Sequence, residues 1–138
     1  TVTVTKGWSE AYGMFLKGEA DLVLSYTTSP AYHRLAEQKQ QYHAALFDEG
    51  HYRQVEVAAQ LKSAKHPELA ARFLKFMLSD EFQSLIPTGN WMYPVTRVAL
   101  PDGFNQNETP AKTLHLDEAQ IAAQRKAWLQ EWRGAVSQ

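Results

Sequence analysis

Residues 1–26, TVTVTKGWSEAYGMFLKGEADLVLSY, decide the fold. Val2 and Val4 alternate with threonines, the period of a strand with one buried face. Lys6 and Gly7 break that pattern. Residues 9–17 then read as a helix with Tyr12, Phe15 and Leu16 on one face. Gly18 is its natural stop, because glycine enters the left-handed conformation cheaply. Residues 21–26, DLVLSY, form a short apolar run with the character of a buried strand. Strand, helix and strand in this order predict an α/β layer.

The pattern continues outward. After Tyr26 comes Thr27-Thr28-Ser29-Pro30. Ser29 is placed to cap a helix that starts at Pro30, where the missing N–H costs nothing, and runs to about Gln38. Residues 44–47 and 55–61 read as two further strands around the polar turn Asp48-Glu49-Gly50-His51. His66-Pro67-Glu68 opens a helix with Leu69, Ala70, Phe73, Leu74 and Met77 as its apolar stripe. Ser79 caps a second, short helix over residues 80–85, and Pro87-Thr88-Gly89-Asn90 ends it. Prolines, Gly103 and several Asn and Thr make residues 101–113 a loop. Asp117 caps the last helix, with Gln120 at the matching position of a capping box. Ile121, Trp128, Leu129 and Trp132 mark its expected buried face, and Gly134 its end.

Composition narrows the function. The 138 residues suit one compact domain. Fourteen basic and fifteen acidic side chains give a net charge of −1. A nucleic-acid binder shows a basic excess or stripe, and this chain shows neither. With no cysteine there is no disulfide, thiolate nucleophile or zinc-thiolate site. No apolar run approaches the ~18 residues of a membrane span. No leader pattern is read at the start. Thr1 stands inside an expected strand, which predicts an upstream portion.

Catalytic motifs fail on inspection. Gly13 and Gly18 have phosphate-loop spacing, but Glu19 stands where that motif needs a lysine and would repel phosphate. There is no nucleophile elbow or dinucleotide fingerprint. His33, His43, His51, His66 and His115 show no helical metal-pair spacing. Glu49 and His51 share a turn but lack a third ligand nearby in sequence. The expectation is a protein that is not an enzyme.

Three segments place aromatic side chains where packing alone does not ask for them. Trp8 follows Gly7 at a strand-to-helix junction, Tyr26 ends an apolar run before a helix start, and Trp91 lies in a Gly-Asn-Trp-Met-Tyr-Pro loop. Ligands of open α/β sheets bind outside the carboxyl ends of the strands, where Trp8 and Tyr26 are expected. GWSEAYG, DLVLSYTTSPAYH and IPTGNWMYPV together closely resemble the periplasmic thiamine-binding proteins of bacterial ABC importers, and the resemblance runs over the whole chain. LAARFLKFMLSDEFQSLIP is a looser pattern, shared with iron and polyamine binders of the same superfamily.

The resemblance implies a two-lobed periplasmic (type II) solute-binding fold of the α/β class. This chain would be its C-terminal portion. Residues 1–60 would be part of the second α/β lobe, with the strand-end binding loops. Residues 61–138 would be a helical segment returning to the first lobe, with the C-terminal helix. It implies ligand contacts from Trp8, Tyr26, Thr27, Thr28, Ser29, Tyr32 and Trp91, and leaves Trp128 and Trp132 to packing. The implied ligand is thiamine, the implied partner an ABC permease and the implied location the periplasm; Thr28 and Ser29 at a helix start extend the expectation to thiamine phosphates. No resident cofactor, metal, nucleic acid or membrane insertion is implied. Cut strand partners would leave edges that invite self-association or domain swapping, and the chain alone is expected to bind thiamine weakly or not at all.

The chemistry fits that ligand. Thiazolium is a fixed cation, so the site must stabilise its charge. Each cation–π contact supplies about 0.5–2 kcal/mol, and stacking on the pyrimidine about 0.5–1.5 kcal/mol beyond area burial. Micromolar affinity needs about 8 kcal/mol, so hydrogen bonds and the other lobe must add to three aromatic walls. Alternatives remain on the same scaffold. Iron(III) binders use adjacent tyrosines, whereas Tyr26 is followed by Thr27. Polyamine binders need several carboxylates, and the three segments supply only Glu10. A thiamine-precursor enzyme would show turnover.

Overall fold

The structure is a computed structural model and describes residues 2–136. The chain divides into two compact units. One draws on residues up to Ser25, on His51–Arg53 and on residues from Lys112 onward; the other on Tyr26–Gly50 and Gln54–Ala111.

In the first unit, α1 (Trp8–Leu16) starts after Gly7. Its end is a Schellman turn: Gly18 N–H donates to the Phe15 carbonyl at 3.0 Å and Glu19 N–H to the Met14 carbonyl at 2.9 Å. Gly18 holds φ +77°, as its placement predicts. A Cβ there would meet nothing within 4 Å, so only the backbone conformation resists substitution. Gly18→Ala is expected to destabilise the protein by about 1 kcal/mol, read as a lower urea midpoint at unchanged slope. β1 (His51–Tyr52) pairs in parallel with β2 (Thr113–Leu114), with His51 opposite Thr113. The last helix of the chain, here α7 (Glu118–Val136), is capped by Asp117, whose Oδ1 accepts the Gln120 N–H at 2.9 Å.

The second unit holds the remaining helices. These are α2 (Ser29–Ala36), α3 (Pro67–Phe76), α4 (Asp80–Gln83), α5 (Ile86–Gly89) and α6 (Asp102–Asn105). Ser79 caps α4 as expected, its side chain accepting the Phe82 N–H. Burial concentrates on α2 and α6: Ala31, His33 and Phe104 are the deepest of their side chains. Gln83 ties the loop after α5 to this unit. Its Nε2 donates to the Met77 carbonyl at 2.6 Å, and its Oε1 accepts the Val95 N–H at 2.8 Å.

Several expectations need correction. Residues 2–4, 21–26, 44–47 and 55–61 form no ladder among the described residues, and Thr1 lies outside them. Leu24 is 92% and Val57 88% exposed, so these runs are not buried strands here. Apolar β-formers state a preference, but a strand exists only where a neighbour accepts and donates the ladder hydrogen bonds. Among the described residues the one short ladder forms at His51 and Thr113 instead, two segments read as turn and loop. The cap of α2 is Thr28 rather than Ser29, without a side-chain cap bond, and the helix ends two residues early. The loops at 86–89 and 102–105 close into helical turns. α7 runs through Gly134 and buries none of its residues, with Trp132 57% exposed. A stripe is buried only against a partner element, which the sequence period alone does not supply.

Candidate functional site

The start of α2 builds one edge of the site. Ser29 N–H donates to the Tyr26 carbonyl and Ala31 N–H to the Thr28 carbonyl, both at 3.0 Å. These turns bring Tyr26, Thr27, Thr28 and Ser29 to the N-terminal end of the helix, whose dipole favours negative charge. Thr28 is buried, whereas the Tyr26 ring is 53% exposed.

Tyr32 lies on the first turn of α2 and meets Trp91 edge to face, with ring centroids 5.0 Å apart and planes at 88°. Trp91 holds φ +54°, in the left-handed region that a bulky residue enters at a cost of about 1–2 kcal/mol. That conformation therefore needs support from surrounding contacts. Phe104 supplies it, lying nearly parallel to the indole at 8° with a centroid distance of 6.3 Å. Tyr93 meets the Phe104 ring edge-on at 5.7 Å. Asn90, just before Trp91, donates from Nδ2 to Glu56 Oε2 at 2.9 Å and steadies the loop.

Beneath Tyr32 lies a buried histidine. His33 has no solvent exposure, stacks on Tyr42 at 3.9 Å and shares a 2.8 Å hydrogen bond from Nδ1 with Glu37. Lys39 Nζ reaches the same carboxylate at 3.0 Å. The bonds from His33 and then Lys39 hold the Glu37 carboxyl below its ordinary range. A polar cavity of about 220 Å³ lies beside α2, lined by Pro30, Arg34, Gln40, His43 and Asn107 among others. None of the aromatic candidates lines it.

Trp8 belongs to the first unit. It opens α1 with 53% exposure, donates from Nε1 to Ser25 Oγ at 3.3 Å, and lies 4.7 Å from the Tyr12 ring. Among the seven sequence candidates, Tyr32 and Trp91 are in ring contact, and Tyr26 to Ser29 are joined by the turn before them. Sequence reading missed Phe104, Tyr93 and His33. Phe104 sits in a stretch dominated by loop-forming residues; only its being the sole aromatic there could have singled it out. His33 follows Tyr32 directly, and its burial has no sequence signature.

Partly exposed aromatic rings beside a helix start with hydroxyls can hold a flat cation through the ring quadrupole, and the helix dipole favours an anionic tail. The chain is similar to known proteins. Residues 1–84 match the family described as bacterial extracellular solute-binding protein. Over 137 residues, 99% of this chain, it is 66% identical to the thiamine-binding periplasmic protein of Escherichia coli K12. The protein of that name from Haemophilus influenzae is 45% identical. The chain spans 42% of the Escherichia coli relative's length and 41% of the Haemophilus one. A solved structure titled periplasmic thiamin binding protein matches with TM-score 0.89 and 65% identity, over 96% of this chain and 42% of that one.

Proposed function

This chain belongs to the bacterial extracellular solute-binding protein family, and from that premise we propose that it contributes to capturing thiamine in the periplasm for delivery to an ABC permease. The observation that carries the reading is the Tyr32–Trp91 pair beside the hydroxyl-rich start of α2. It gives aromatic surface to a fixed cation and polar groups to the ligand's tail. Relatives that bear the thiamine-binding name over nearly this whole chain support it. Trp8, Tyr26, Thr27, Thr28, Ser29, Tyr32 and Trp91 are the proposed contacts. Residues 1–60 are assigned to the second lobe and 61–138 to the segment returning to the first. The protein binds and releases its ligand with no bond made or broken.

Thr28 and Ser29 extend the proposal to thiamine phosphate esters. A phosphate at the start of α2 would meet the hydroxyl-bearing residues there and the positive end of the helix dipole. In the gene product carrying this sequence, Thr28→Ala with Ser29→Ala is expected to remove any preference for thiamine monophosphate over thiamine. Calorimetry with both ligands measures it, and an unchanged preference sinks the phosphate assignment. Incubation with thiamine followed by mass spectrometry tests the absence of chemistry; any product formed at the site refutes it.

A further inference from the structure

We propose that Phe104 is a positioning residue that sets the plane of the Trp91 indole, held in place by a clamp between α2 and α6. This rests on the proposed role of Trp91 in ligand binding. Trp91 keeps a left-handed backbone, a strained conformation that persists only where surrounding contacts hold the residue. Phe104 takes one face of the indole at 8° and is itself 2% exposed, so it is a fixed backstop.

What fixes Phe104 is also visible. Gly103 lets α6 lie against α2, since a Cβ there would fall 2.5 Å from Leu35 Cγ. Arg34 on α2 donates from Nε at 3.1 Å and from Nη2 at 2.7 Å to the Gly103 carbonyl, and from Nη2 to Asn107 Oδ1. Asn107 Nδ2 in turn donates to the Tyr93 hydroxyl at 3.2 Å, and the Tyr93 ring closes on Phe104. The carbonyl of the residue before Phe104 is thus pinned to the helix that carries Tyr32. One clamp holds both rings of the aromatic pair, and loosening it would tilt Trp91 without removing any ligand contact.

The test is a double-mutant cycle in the gene product carrying this sequence, with thiamine affinity measured by calorimetry. Phe104→Met keeps apolar volume and removes the ring. It is expected to weaken binding about three- to tenfold when Trp91 is present and less than about 1.5-fold in a Trp91→Ala background. Arg34→Met, which keeps the stem and removes the clamp, is expected to repeat the pattern and serves if Phe104→Met unfolds. Equal losses in both backgrounds, or no loss with Trp91 present, overturn the positioning role while leaving Trp91 as a contact. Unchanged affinity in Trp91→Ala alone overturns the binding-site reading, and this inference with it.

Discussion

Replacing Trp91 by alanine in the gene product is expected to weaken thiamine binding by about tenfold or more. A tenfold loss corresponds to about 1.4 kcal/mol. One lost cation–π contact accounts for about 0.5–2 kcal/mol and one lost stacking contact for about 0.5–1.5 kcal/mol. The ring is a preformed wall, edge to face with Tyr32 and backed by Phe104, so its removal also leaves Tyr32 without its neighbour. Calorimetry gives the affinity, and far-ultraviolet circular dichroism checks that the variant is folded. Native affinity in a folded variant would take Trp91 out of the site.

The largest stability loss is expected from Phe104→Ala. Phe104 is 2% exposed and contacts both Trp91 and Tyr93, so truncation opens a cavity where two rings meet. Deleting a buried phenylalanine costs about 3–5 kcal/mol, the transfer of the ring plus the void left behind. Urea unfolding should show a midpoint lowered in proportion. A loss below about 1 kcal/mol would mean that neighbours collapse into the space, and that Phe104 is no fixed support.

Local signals in the sequence were read well. Gly18 ends α1 in the left-handed turn expected of it, and Ser79 and Asp117 both cap the helices they precede. These features depend on a few neighbouring residues, so sequence contains them. Segments 21–26 and 55–61 were read as strands from apolar β-formers, yet they find no ladder among the described residues. Pairing depends on a partner elsewhere in space, which local preference does not specify.

The site divides along the same line. Trp8, Tyr26 and Trp91 stand out because aromatic residues at junction, helix-start and loop positions are unusual, whereas Tyr32 enters only through the family resemblance. Phe104 does not stand out, because its meaning comes from a residue 13 positions away in sequence, reached through the clamp of α6 on α2. The helical turn that carries it is four residues long, too short for any periodicity to mark.

Calorimetric titration of the gene product carrying this sequence with thiamine tests the central claim most directly. Saturable binding to one site at micromolar concentration or tighter is expected, with that affinity falling in Trp91→Ala. A folded protein that gives no saturable heat with thiamine would overturn the proposed ligand, and one that binds it equally well without Trp91 would overturn the proposed site.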